Sequence, residues 1–336
     1  MKNNLNVLYA ADENYAPFLG VSMTSLFENN KDIDSITVYA VLDSVSEENK
    51  VKFRKTADKY KRTFVSINAD SFNKELEKLN VPKYRGNYTT NYRLFFDQII
   101  SSDAENMLYI DCDTLICSSL KFLLNLAWNG NVAAVVRDSL ATRYKKLIGF
   151  NDNDNYFNAG VLFVNVYEWK AQDISQILLN HIKNNRSRYC NPDQDLLNIV
   201  LKGKTLELSP EYNFQPFHRV YKDSLYCKVY GNIGYYSVEQ IEHARKNPVI
   251  LHTYRFLGEF PWHKDNLHPD TPLFDDYLSK SLWKDYIKEK KKLSLIFKIE
   301  KILYIALPKF LFLRLFNIAQ FRSFYKQEIA LKKFYR

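Results

Sequence analysis

The 336-residue sequence predicts an α/β fold built on a doubly wound sheet. Three observations carry that expectation: short, nearly continuous apolar runs recur from Asn6 to Leu251, helical segments separate them, and several of the runs end directly in acidic or amide residues. Apolar runs without polar alternation suit strands covered on both faces. Right-handed crossovers between such strands place helices on both sides of the sheet and ligands at the strands' carboxyl ends.

Asn6 to Ala11 (NVLYAA) is the first strand, closed by Asp12-Glu13-Asn14, and Pro17 sits in the first turn of the helix that follows through Val21, Leu26 and Phe27. Ile36 to Leu42 is the second strand, and Ser44 with Glu47 is spaced as a capping box for a polar helix ending near Arg62. Phe64 to Ile67 is the third strand. A helix follows at about Tyr92 to Ile100, then a strand from Met107 to Ile110 that runs into Asp111-Cys112-Asp113. Another helix near Leu120 to Leu126 precedes the strand Val132 to Val136, which delivers Arg137-Asp138. Tyr156 to Val166 is a further apolar run, Trp169 opens or abuts the next helix, Gln194 to Leu201 is helical, and Val249 to Leu251 is a short strand that delivers His252. No linker or internal repeat interrupts this alternation.

Composition excludes several classes. With 46% hydrophobic and 25% charged residues the chain is globular rather than disordered or collagenous, and its 24 Tyr and 23 Phe suit a deep core with aromatic-lined clefts. The net charge of +9 is a property of one end. Residues 288–336 hold thirteen Lys and Arg against Glu289, Glu300 and Glu328, which leaves residues 1–287 near neutral and without a basic surface for nucleic acid. Cys112, Cys117, Cys190 and Cys227 show no CxxC spacing, so a reduced, cytoplasmic chain is expected. Val7 to Ala11 is too short for a signal segment. The most apolar region, 293–316, is interrupted by Lys298, Glu300, Lys301, Pro308, Lys309 and Arg314, so no stretch reaches the ~18 apolar residues of a spanning helix.

Four constellations could carry chemistry. Asp111 and Asp113, one residue apart at a strand end, suit a divalent cation that itself holds a diphosphate, although Asp-x-Asp also serves turns and caps. With Thr114 behind it, the same element resembles that of haloacid dehalogenase-type phosphohydrolases, but there it ends the first strand, whereas here at least three strands precede it. Asn158 and Gly160 stand inside an apolar strand, where a glycine marks close approach of backbone or ligand and a buried amide requires a partner. Asn191-Pro192-Asp193-Gln194-Asp195 leads into a helix, as capping residues or as groups facing a ligand. His252 gains meaning only if Asp111 and Asp113 are its partners.

Taken in order, these elements resemble glycosyltransferase family 8, the retaining, metal-dependent sugar-nucleotide transferases. The resemblance covers roughly residues 5–264: Ala10-Ala11-Asp12-Glu13-Asn14-Tyr15, Thr89-Thr90-Asn91-Tyr92-Arg93-Leu94, Asp111-Cys112-Asp113, Phe157-Asn158-Ala159-Gly160-Val161, Asp193-Gln194-Asp195 with Leu196-Leu197-Asn198, and His252 with Pro261-Trp262. It implies a single Rossmann-like GT-A domain with a mixed central sheet, at residues 1–270, followed by a helical, basic and hydrophobic tail at 271–336. It implies that Asp12 and Asn14 contact uridine, that Asp111, Asp113 and His252 bind Mn²⁺ or Mg²⁺, and that Arg93, Asp138, Asn158, Asp193 and Gln194 contact the donor sugar. One departure stands out. The family's H-x-x-G-x-x-K-P-W becomes His252-Thr-Tyr-Arg-Phe-Leu-Gly-Glu-Phe-Pro261-Trp262, with Phe260 at the lysine position and Arg255 or Lys264 as the cations left to replace it.

The resemblance therefore implies a UDP-hexose donor, galactose or glucose, and a glycan or lipid-linked saccharide acceptor of the bacterial surface. A phosphohydrolase, or a sugar-nucleotide-binding protein without turnover, is the alternative. The tail, with Leu293, Ile296, Phe297, Ile302, Leu303 and a cluster from Phe310 to Phe316 among its basic residues, is expected to attach to an anionic membrane surface on the cytoplasmic side, with Pro308 dividing it into two helices. The opposing expectation is that it packs on the body or on a second subunit.

Overall fold

The computed structural model of the protein describes residues 3–81, 83, 86–101, 104–139, 142–185, 189–230 and 235–334. Nine strands are formed among them: β1 (Asn4–Asp12), β2 (Ser35–Asp43), β3 (Thr63–Asn68), β4 (Asn106–Ile110), β5 (Thr114–Ile116), β6 (Ala133–Arg137), β7 (Phe157–Asn165), β8 (Thr205–Glu207) and β9 (Ile250–His252). Seven make one sheet in the order β3-β2-β1-β4-β7-β6-β8, and β5 pairs with β9 in a small second sheet. The N-terminal half is parallel, as the crossovers require, whereas β7 runs antiparallel to both β4 and β6. The sheet is therefore mixed.

The pleat explains why the strand sequences are apolar throughout. Along β1, Leu5, Val7, Tyr9 and Ala11 enter one core layer and Leu8 the other; along β4, Leu108 and Ile110 face the first layer and Met107 and Tyr109 the second. The first layer is closed by helices Ala16–Asn29, Glu47–Lys59, Val238–Lys246 and Thr271–Lys280, and the second by helices Asp70–Lys78, Val166–Ala171, Ile174–Asn185 and Pro192–Val200. With both faces covered, a polar residue inside a strand is costly unless it has a hydrogen-bond partner. That makes Asn158 and the strand-end carboxylates informative.

Two local expectations are corrected. The polar helix is capped by Ser46, whose Oγ accepts from the Asn49 N–H at 3.3 Å, while Ser44 lies outside the helix with φ +55°. The segments expected as helices at Tyr92–Ile100 and Leu120–Leu126 are mainly 3-10 turns, Thr89–Phe95 and Lys121–Asn125, the former followed by one α-turn at Phe96–Ile99. Asn91 to Phe95 are all buried, so this segment sinks into the second core layer beside Leu8 and Val41 instead of laying one amphipathic face on it.

The chain after Pro308 turns as expected: Leu295–Ala306 and Lys309–Phe334 are separate helices. Phe312 and Leu313 join a third cluster with Phe217, Tyr221, Tyr226, Phe256 and Leu257. Lys301 Nζ lies 2.7 Å from Glu259 Oε2, whose side chain is 3% exposed, and the Phe297 ring packs on Gly258, where φ is +83° and a Cβ would sit 2.7 Å from Phe297 Cγ. These contacts tie the C-terminal helices to the loop that follows β9. Among the described residues no helix is long and apolar enough to cross a membrane.

A second tight fit joins Trp283 to the N-terminal half. A Cβ on Gly20 would lie 2.1 Å from the indole, which also packs on Phe53 and donates from Nε1 to Asn49 Oδ1 at 2.8 Å. Gly20→Ala should therefore lower unfolding stability by about 1–3 kcal/mol through overpacking despite alanine's better helix propensity. The check is a shift of the denaturant midpoint at unchanged slope; a midpoint equal to or above that of the parent chain would contradict the packing.

Candidate functional site

Register brings the constellations together. Ile110 pairs with Val161, so β4 ends where the Asp111 N–H donates to the Gly160 carbonyl at 2.9 Å. On the other side Thr114 pairs with His252, and Asp113's carbonyl accepts from the N–H of Thr253 at 2.7 Å. Asp111, Asp113 and His252 thereby converge, with one ligand atom of each within 4.8 Å of the others. His252 Nε2 is 3.3 Å from Asp113 Oδ1 and 3.7 Å from Asp111 Oδ2. Gly160 makes the approach possible: a Cβ there would fall 2.1 Å from His252 Cε1 and 2.8 Å from Asp111 Oδ2.

The imidazole is oriented from behind. His252 Nδ1 is 3.0 Å from Asn213 Oδ1, while Asn213 Nδ2 donates to Asn158 Oδ1 at 3.0 Å. Since an amide oxygen only accepts, Nδ1 carries a proton, and Nε2 is the atom that faces the two carboxylates and becomes a ligand when its own proton leaves. Burial pushes the imidazole's pKa down, but the hydrogen bond and charge of Asp113, with Asp111 behind it, outweigh burial and raise it. Two carboxylates and one imidazole lone pair are a hard-to-borderline donor set that fits Mn²⁺ or Mg²⁺. The Cys112 thiol is turned away and donates to the Ala10 carbonyl at 3.2 Å.

Asp111 is also held from the other face of the sheet. Strand alternation puts Tyr109 on the same side as Asp111, and its Oη donates to Asp111 Oδ1 at 2.6 Å. Arg93 stacks over the Tyr109 ring at 4.1 Å and donates from Nη2 to the same oxygen at 3.0 Å, leaving Oδ2 on the His252 side. Burial works against this cation, yet Asp111, Tyr109 and Asp193 together hold its pKa above the ordinary guanidinium value. Arg93 reaches Asp193 at 3.3 Å and also donates to the carbonyls of Thr90 and Ala159.

A second network lies beside the first. Asp138 Oδ2 accepts from Asn158 Nδ2 at 2.8 Å and from Gln194 Nε2 at 3.1 Å, and Gln194 Oε1 accepts the Ala159 N–H at 3.1 Å. Asp195, fully buried, fixes the start of the Pro192–Val200 helix by accepting from Tyr144 Oη, Tyr156 Oη and the Asn191 N–H; burial raises its pKa to about 7. At the far edge Asp12 accepts from the Tyr15 N–H and from Asn87 Nδ2, and Asn14 is exposed.

Asp12, Asn14, Asp111, Asp113, Asp138, Asn158, Gln194 and His252 all line one cavity of about 1130 Å³; Arg93 and Asp193 stand behind its wall. Of the two cations considered for the missing lysine, Arg255 lines the cavity, with its guanidinium 4.7 Å over the Phe297 ring, whereas Lys264 is exposed and not part of the lining. Reading the sequence missed Asn213, Tyr109 and Tyr156. The tyrosines look like ordinary apolar strand residues, and the only signal for Asn213 is chemical: a ligating imidazole needs an acceptor at its other nitrogen.

A mixed sheet with paired carboxylates at the end of a central strand, a histidine facing them and an amide network alongside defines a GT-A-type glycosyltransferase. Residues 6–266 match glycosyl transferase family 8, and the chain belongs to that family. It is 31% identical over 291 residues to the lipopolysaccharide 1,2-glucosyltransferase of Escherichia coli K12, covering 84% of this chain and 79% of that one. It is 26% identical to the lipopolysaccharide 1,3-galactosyltransferase of Salmonella typhimurium, over 84% and 80%. The galactosyltransferase LgtC, solved in complex with donor and acceptor sugar analogs, shares the fold with a TM-score of 0.65 at 24% identity, over 83% of this chain and 96% of that one. The phosphohydrolase alternative does not hold: besides the family match, Asp111 is clamped by Tyr109 and Arg93, and Thr114 Oγ1 donates inward to the Asp111 carbonyl at 2.8 Å.

Asn213 provides a direct check of the orienting role. Asn213→Ala should weaken Mn²⁺ binding in the presence of UDP by about 10–100-fold, measured by electron paramagnetic resonance, while Asn213→Asp, which keeps an acceptor at Nδ1, should retain most of it. Equal affinity in the alanine variant and the parent would remove Asn213 from the site.

Proposed function

We propose that this chain transfers a hexose, galactose or glucose, from its UDP derivative to a saccharide acceptor of the cell surface, with retention of anomeric configuration and with Mn²⁺ or Mg²⁺ as cofactor. The supporting observation is electrostatic. Asp12, Asp111, Asp113, Asp138 and Glu300 line the cavity, and Arg255 is the one Lys or Arg among the described lining residues, so a diphosphate is repelled unless a cation comes with it. A divalent ion held by Asp111, Asp113 and His252 supplies Lewis-acid stabilisation of the departing diphosphate. The lipopolysaccharide transferases among the relatives support the acceptor class.

In this reading Asp12 and Asn14 meet the nucleoside, and Asp138, Asn158 and Gln194 meet the donor sugar, with Arg93 and Asp193 bracing them. Glycoside hydrolases protonate the leaving oxygen with a carboxylic acid; a metal-held diphosphate needs no such acid. Gln194 is an amide, a poor nucleophile, and its atoms are engaged by Asp138, Tyr156 and Ala159. That supports attack by the acceptor on the face the diphosphate leaves rather than a covalent intermediate on Gln194. Of Arg255 and Lys264, Arg255 is the one that lines the cavity, which supports it as the cation that stands in for the family lysine. Asp111→Asn and Asp113→Asn keep shape and remove ligand charge, so UDP release from UDP-hexose should fall by at least two orders of magnitude. Undiminished release in either variant, or in excess chelator, refutes the metal's role; UDP binding without release in the parent identifies a binding protein instead.

The tail supports a peripheral position on the cytoplasmic face of the membrane. Its inner side packs on the body, but Ile296, Ile299, Ile302 and Ile305 form an exposed ridge on the first helix, and Leu311, Leu315, Ile318, Tyr325 and Ile329 an exposed stripe on the second, within a segment of net charge +10. Sedimentation of the full chain with anionic liposomes should be salt-sensitive and should drop at least fivefold in Ile302→Glu/Ile305→Glu, while neutral liposomes bind little. Indifference to lipid charge and to these substitutions would assign the exposed faces to protein contacts.

A further inference from the structure

The cavity is larger than the donor reading needs, and much of its wall is unexpected. At about 1130 Å³ it exceeds the ~300–1,000 Å³ of ordinary small-molecule sites. Among the described residues, the chain after residue 288 supplies fourteen of the forty that line it. Resting on the reading above, we infer that the two C-terminal helices build the acceptor subsite, and that the acceptor is amphipathic: a saccharide whose sugar is held by Gln320, Ser323 and Gln327 and whose aliphatic portion leaves along an apolar wall.

The argument starts from helix periodicity. Phe312, Phe316, Gln320, Ser323 and Gln327 lie on one face of the Lys309–Phe334 helix, and all five line the cavity. That face changes character along its length, from two aromatic rings to two amides and a hydroxyl. Contacts fix which half lies where. The polar half abuts the donor-sugar network: the Phe324 ring is 4.7 Å from Tyr144, whose hydroxyl holds Asp195, and the Cys190 thiol, next to Asn191, lies 3.7 Å from the Phe324 carbonyl. The aromatic half lies against the Pro216–Val220 helix, with Phe316 and Phe217 rings 5.3 Å apart, and Phe312 shares a cluster with Phe256 and Leu257 of the loop after β9. Amides and hydroxyls opposite Gln194 and Asn191 match the hydroxyl pattern of a sugar. They line the same cavity as Gln194 and Asn191.

The apolar half has no use for a free sugar. It continues outward: Ile296, Ile299 and Leu315 line the cavity and are also exposed to solvent, so apolar side chains reach from the interior to the surface, with Glu300 and Arg255 among them. An aliphatic chain attached to the acceptor's reducing end would follow that wall while its sugar stays at the amides.

The test uses the full chain with UDP and Mn²⁺, and titrates octyl β-lactoside and methyl β-lactoside by calorimetry. The octyl glycoside should bind at least tenfold more tightly. Gln320→Ala/Gln327→Ala should weaken both probes by about tenfold, as expected for two lost hydrogen bonds, whereas Ile299→Ser/Leu315→Ser should remove the octyl advantage and leave the methyl glycoside unchanged. UDP affinity should stay the same in both variants. Failure of either lactoside to bind the UDP-loaded parent, or binding that ignores these substitutions, overturns the inference and leaves the donor reading standing; failure of UDP with Mn²⁺ to bind the parent overturns the donor reading itself.

Discussion

The arrangement of this molecule depends on a missing side chain. At Gly160, in the middle of an otherwise bulky strand, the Asp111 carboxylate and the His252 ring close onto bare backbone at distances no β-carbon tolerates. Strands that are far apart in sequence, β4 and β9, meet there, and the antiparallel placement of β7 between β4 and β6 exists where it holds that backbone in register. The glycine's cost in strand propensity is small beside what its absence of bulk permits.

Around this point the protein separates two electrostatic tasks. Arg93, buried and braced by the Tyr109 ring, neutralises one oxygen of Asp111 permanently, while the other oxygen remains on the histidine side. A structural countercharge beneath the cluster lets two carboxylates stay close without a mobile ion, which preserves the geometry of the ligands. The neutral amides of Asn213, Asn158 and Gln194 then relay orientation through donors and acceptors that are all matched.

Much of this was legible in the sequence, and the physical reason is locality. Continuous apolar runs, the strand-end Asp111 and Asp113, and a glycine inside a strand are signals written within a few residues, and they pointed to residues that the fold brings together. Capping was misread by two residues because Ser44 and Ser46 offer the same chemistry and only backbone φ distinguishes them. The helices expected at Tyr92 and Leu120 tightened into 3-10 turns because tertiary burial overrode a weak local preference. Asn213 was invisible for a different reason: its role comes entirely from a contact thirty-nine residues away in the chain.

The clasp between Lys301 and the buried Glu259 carries a consequence of its own. The loop it grips leads directly from His252, and Phe297 fills the space above Gly258 in that same loop. Undocking the tail would strip a desolvated carboxylate of its countercharge, a strongly unfavourable event, so docking of the tail and integrity of the cavity form one equilibrium. By thermodynamic reciprocity, whatever grips the outer surface of the docked helices more tightly than that of the released ones raises affinity within the cavity by the same factor, and a molecule filling the cavity strengthens that outer grip in return.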